Sequence, residues 1–189
     1  MLAGTVLISS NVPAYAEPNK QILDRAETYK EPALKLLEVL VNTDSGSGDD
    51  TGLNAVAETI VSQLKSLGAR IETSKPGEPA KGTNVVATWT GTGQSRILLI
   101  GHMDTVFQAG DAAKRPFRIA SGRAYGPGVM DDKGGIVIAL YTLKILQDLG
   151  IKNFAQITLL LNSNEEIGSP GSRTLIETLS KQHDVALNL

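Results

Sequence analysis

Apolar positions recur at helical spacing in the first third of the chain and at strand spacing beyond it. Ile22, Leu23, Ala26 and Tyr29 share one helical face after Asn19, a residue suited to the N-cap. Pro32 restarts or kinks that run, and Ala33, Leu36, Leu37 and Leu40 continue the stripe. Residues 42–52, dense in Ser, Gly and Asp, read as a loop. A second helix follows, with Leu53, Val56, Ile60, Leu64 and Leu67 on one side and Gly68 as its stop.

From Arg70 the period changes. Residues 70–73, 84–89 and 96–100 are short β-rich runs set apart by Gly and Pro, and the last is apolar on both faces, as inside a sheet. Residues 117–119 and 123–125 suit a hairpin turning at Ser121-Gly122. Residues 134–149 form a helix closed by Gly150, and 157–161 a second fully apolar strand. Residues 172–179 read as helix and 185–189 as a buried strand, an abrupt place to stop that predicts truncation. Strands alternating with helices predict the α/β class: a mixed, largely parallel sheet flanked by helices.

Composition adds mainly exclusions. At 189 residues and 41% hydrophobic, the chain suits one domain of moderate size. A net charge of −2 gives no basic stripe, so nucleic acid is not an expected partner. No run of about 18 apolar residues predicts a membrane span. Cysteine is absent, which removes disulfides, thiolate zinc sites and cysteine nucleophiles. At the N-terminus, a weakly apolar run precedes Ala14-Tyr15-Ala16, which fits a signal-peptidase site before Glu17, although no Lys or Arg precedes Lys20. The expectation is a signal peptide over residues 1–16 and a periplasmic or secreted protein, with a cytosolic N-terminus as the alternative.

Three segments at strand ends carry the candidate chemistry, where open α/β sheets gather functional groups. Gly101-His102-Met103-Asp104 follows one apolar strand, and Asp104 suits the carboxylate partner that orients a ligating imidazole. Alone, His102 is equally a hydrogen-bonded structural histidine. Asp131-Asp132 closes a Gly-rich stretch; adjacent acids repel unless a cation lies between them or they point apart. The plainer alternative is a turn whose aspartate caps the next helix. Glu165-Glu166 follows the second apolar strand, and one glutamate could reach a metal while the other removes a proton from water. Its alternative is a solvated acidic turn at a helix N-terminus. Together the three make an N- and O-donor cluster suited to zinc, with manganese or cobalt as substitutes. A phosphate-binding loop fits poorly, because paired acids repel phosphate and no Lys-Ser/Thr follows the glycines.

The segments GHMDTVF, PFRIASGRAYGPGVMDDKGG and NSNEEIGSPGSRTLI resemble, in order, the two-zinc aminoacylase and carboxypeptidase metallopeptidases, with bacterial glutamate carboxypeptidases most alike. The likeness runs from about Pro32 to Leu189. It implies that residues 17–189 are the N-terminal portion of a catalytic domain, without the lid or dimerisation domain and the C-terminal segment. It implies His102 on one zinc with Asp104 holding its ring, Asp131 bridging two zincs ahead of a cis peptide, Glu166 on the second zinc, and Glu165 as general base. The pattern expects two further ligands, an acid beyond the last strand and a late histidine; His183 reads as a surface residue rather than a substitute. The implied activity is hydrolysis of a C-terminal peptide or N-acyl amide bond, glutamate-releasing, on a small peptide or N-acyl amino acid, by a homodimeric parent. The alternative is a metal-binding fragment without turnover.

Overall fold

The computed structural model describes residues 18–189; the expected signal peptide lies outside the described residues. Helix α1, Lys20–Val41, begins at Asn19, whose side chain accepts hydrogen bonds from the backbone N–H groups of Gln21 and Ile22. It runs unbroken through Pro32, because Leu36, Leu37, Leu40 and Val41 bury its C-terminal half. Helix α2, Asp50–Ser66, starts three residues earlier than its apolar stripe: Asp49 caps it by accepting from Gly52 N–H, so Gly52 is helical rather than loop.

The remaining elements are β1 (Arg70–Ser74), β2 (Asn84–Thr90), β3 (Arg96–His102), the short α3 (Asp111–Lys114), β4 (Arg118–Ala120), β5 (Arg123–Tyr125), α4 (Lys133–Asp148), β6 (Gln156–Asn162), a 3-10 turn (Glu165–Ile167), α5 (Arg173–Ser180) and β7 (Val185–Asn188). The β4–β5 hairpin turns at Ser121-Gly122, both at positive φ.

The main sheet has the order β1-β2-β6-β3-β7. It is mixed as expected, with its ladders divided evenly: β1–β2 and β2–β6 are antiparallel, β6–β3 and β3–β7 parallel. Alternate residues Ile157, Leu159 and Leu161 of β6 join Val85 and Ala87 of β2 in one core with α1, α2 and α4. The strand β7 departs from the expected burial. Among the described residues it pairs only with β3, and Val185 and Leu187 are 44% and 51% exposed, as on an edge strand that gains one neighbour.

The parallel pair β3–β6 positions the candidate site. Its register sets His102 level with Asn162, and Met103 N–H donates to Asn162 C=O at 2.8 Å, so the segments after both strands leave the sheet side by side.

Candidate metal centre

His102, the last residue of β3, is 8% exposed. Its backbone N–H donates to Asp132 Oδ2 at 3.1 Å, its Nδ1 lies 3.0 Å from Asp104 C=O, and its Nε2 lies 2.9 Å from Asp131 Oδ1. Burial disfavours the charged ring, but the hydrogen bond and charge of Asp104, with the charge of Asp132, outweigh it and lift its pKa from 6.5 to about 9.

Asp104 is completely buried and saturated with donors. Oδ1 accepts from Glu165 N–H at 2.9 Å and faces His102 Nδ1 at 3.4 Å, while Oδ2 accepts from Glu166 N–H at 3.1 Å and Ser47 Oγ at 2.7 Å. Burial would raise its pKa, yet the bonds from His102, Ser47 and the two amides hold it below the ordinary carboxylate value. One side chain therefore ties the His102 ring, the Glu165–Ile167 turn and the loop before α2 together.

Asp131 and Asp132 are joined by a cis peptide bond and point apart. Asp131 is 75% exposed by its side chain and faces His102 Nε2. Asp132 occupies the N-cap position of α4, but its side chain makes no capping bond, contrary to the capping alternative; it turns back to the His102 amide. Burial pushes its pKa up to about 6, with Asp131 and Glu165 adding repulsion against the opposing influence of His102. Two glycines make room for that carboxylate: a Cβ on Gly101 would lie 2.5 Å from Asp132 Oδ2, and one on Gly135 would lie 2.1 Å from Oδ1.

Glu165 and Glu166 diverge. Glu165 is half exposed, with Oε2 3.9 Å from His102 Nε2 and no hydrogen bond on its carboxylate among the described residues. Glu166 turns inward, and burial together with the charge of Asp131 raises its pKa. His102, Asp131 and Glu166 each offer one ligand atom, all within 4.8 Å of one another. One imidazole nitrogen and two carboxylate oxygens, crowded by further acids, fit a divalent cation.

His183 stays outside this group. It is half-buried rather than on the surface, with Nδ1 2.7 Å from Leu179 C=O and Nε2 2.8 Å from Thr158 Oγ1, near the opposite end of β6. Sequence reasoning missed two contributors, Ser47 and the buried Lys133, whose Nζ donates to Thr43 C=O at 2.8 Å. Burial lowers the pKa of Lys133 to about 8 against the pull of Asp44. The adjacency of Lys133 to Asp132 and the Ser-Gly-Ser motif at 45–47 were the available signals.

A family model described as Peptidase family M20/M25/M40 matches residues 98–189. Carboxypeptidase G2 of Pseudomonas sp. (strain RS-16) is 42% identical over 176 residues, which cover 93% of this chain and 42% of that protein. Acetylornithine deacetylase of Shigella sonnei (strain Ss046) is 29% identical over 167 residues, covering 82% of this chain and 42% of that protein. Human carnosine dipeptidase 1 superposes with a TM-score of 0.76 at 17% identity, over 89% of this chain and 40% of that one, a likeness of fold. The chain thus spans about two fifths of the length of these relatives.

Proposed function

We propose, on the match of residues 98–189 to the model of Peptidase family M20/M25/M40, that the chain carries the metal-holding region of a hydrolase acting on C-terminal peptide or N-acyl amide bonds, with release of glutamate as the specific reading. The observation that carries it is the convergence of ligand atoms from His102, Asp131 and Glu166 within 4.8 Å, beside the uncommitted carboxylate of Glu165. The name of the Pseudomonas relative supports the carboxypeptidase reading, and that of the Shigella relative supports N-acyl amides. Both bonds are amides attacked by water.

A divalent cation, zinc by the N and O donor set, supplies Lewis acidity when bound and lowers the pKa of a water. His102, Asp131 and Glu166 would hold it. Asp104 keeps the imidazole oriented with Nε2 towards the ligand group, as a second carboxylate does for ligating histidines generally. Glu165 takes the proton from the attacking water and hands it to the leaving nitrogen as the C–N bond breaks and the new C–O bond forms. Were two zinc ions bound, Asp131 would serve both, with His102 on one and Glu166 on the other.

Hydrolysis of N-acyl glutamates and glutamyl-ended peptides by the zinc-loaded chain tests this reading. In Glu165→Gln, turnover is expected to fall about 10²–10⁴-fold with zinc content unchanged; undiminished turnover would remove Glu165 as the base. Zinc uptake without turnover in the wild type would favour a second reading, a cation-binding unit, to which the convergence of three donors lends support. For localisation we propose export, on the Ala14-Tyr15-Ala16 pattern; a mature N-terminus at Glu17 is the expected result of N-terminal sequencing.

A further inference from the structure

The segment between α1 and α2 reads in sequence as a plain loop, yet it is fastened to the candidate centre at several points. Thr105 N–H donates to Ser45 C=O at 2.9 Å, and Ser47 N–H donates to Thr105 C=O at 3.1 Å, a short bridge alongside the residue that follows Asp104. Asp44 accepts from the N–H groups of Gly110 and Ala112 at 2.7 and 2.9 Å, and Lys133 Nζ holds Thr43 C=O. The approach is so close that a Cβ on Gly46 would lie 2.2 Å from Phe107 O. A backbone held this way delivers the Ser47 hydroxyl to a fixed point, 2.7 Å from Asp104 Oδ2.

We propose that Ser47 is a positioning residue of this centre: its hydroxyl sets the rotation of the Asp104 carboxylate, and through it the direction in which His102 presents Nε2 to a cation. The inference rests on the cation-binding reading of the site. Among the hydrogen bonds to Asp104, that of Ser47 is the shortest and comes from a side chain rather than an amide. A carboxylate turned about its Cβ–Cγ bond would lose this bond and misdirect Oδ1, which faces the imidazole. Removing the hydroxyl leaves Oδ2 with the Glu166 amide alone, so that only the Glu165 and Glu166 amides hold that rotation.

Cobalt titration of the 189-residue chain, followed by visible absorption, tests it. Ser47→Ala is expected to bind Co2+ about tenfold more weakly than the wild type, with an altered absorption band. Ser47→Thr, which keeps the hydroxyl, is expected to restore both. If Ser47→Ala does not fold, Ser47→Cys, with a similar volume but a weak donor, carries the same expectation. Wild-type affinity and spectrum in the variant lacking the hydroxyl, or failure of the threonine to rescue, would overturn the inference while leaving the cation site standing. A wild type that takes up no cobalt would sink the site reading and this inference with it.

Discussion

His102 has Nε2 against Asp131 and Nδ1 against Asp104, and its pKa of about 9 keeps the ring protonated near neutrality. On the proposed cation-binding reading, a cation takes the neutral Nε2, so loading would expel that proton. Calorimetric titration near pH 7 in buffers of different ionisation enthalpy is expected to show release of about one proton per cation, with affinity rising as pH climbs towards 9. Without a cation the linkage runs the other way. A folded-state pKa raised above 6.5 contributes stability that is whole below pH 6.5 and is lost as pH rises through about 9. In Asp104→Asn the His102 pKa, followed by NMR, is expected to fall back towards 6.5. Stability in urea is expected to drop by about 2–3 kcal/mol, since one oxygen facing N–H and O–H donors becomes a donor itself. His102, Asp131, Glu165 and Glu166 stood out in the sequence because their residue types suit metal chemistry, and because His102 and the two glutamates follow apolar strands while Asp131 closes a Gly-rich stretch. Ser47 and Lys133 did not, because what defines them are partners 57 and 90 residues away.

At the scale of elements, the turn into α4 is the least forgiving. The Asp132 carboxylate lies between Gly101 of β3 and Gly135 in the first turn of that helix. Gly135→Ala is expected to cost about 1–3 kcal/mol of stability, read by chemical denaturation, and to weaken cation binding, since Asp132 must move off the His102 amide. Gly77→Ala, where a Cβ would meet nothing within 4 Å, is expected to stay within about 0.5 kcal/mol of the wild type. At the other extreme, Asn19→Ala is expected to cost about 1 kcal/mol through the lost cap of α1. Most of these elements were legible beforehand, because hydrophobic period and Gly or Pro punctuation are local signals. The start of α2 was not, since its first turn is polar and held by Asp49 rather than by apolar residues. Nor was the exposure of β7: an apolar run specifies a strand, but only its neighbours decide what covers it.

At the scale of the molecule, β7 is an edge strand among the described residues. Val185 and Leu187 lie exposed on a strand paired along one side only among the described residues. Leu187→Lys is expected to raise the concentration at which the chain begins to associate, measured by light scattering. The switch from antiparallel to parallel pairing at β6 matters in the opposite sense, since it sets β3 and β6 running together and brings their ends to one rim.

Asp104 joins three stretches of chain, with partners 57 residues before it and up to 62 after it, and its acceptors are sealed from water. The amide hydrogens of Glu165 and Glu166 therefore have no small local motion that frees them for deuterium. Although they sit in an exposed turn, where exchange is ordinarily fast, they are expected to exchange as slowly as the middle of β6. In a mass-spectrometric deuterium experiment those two positions would serve as an internal clock for the opening of the whole fold.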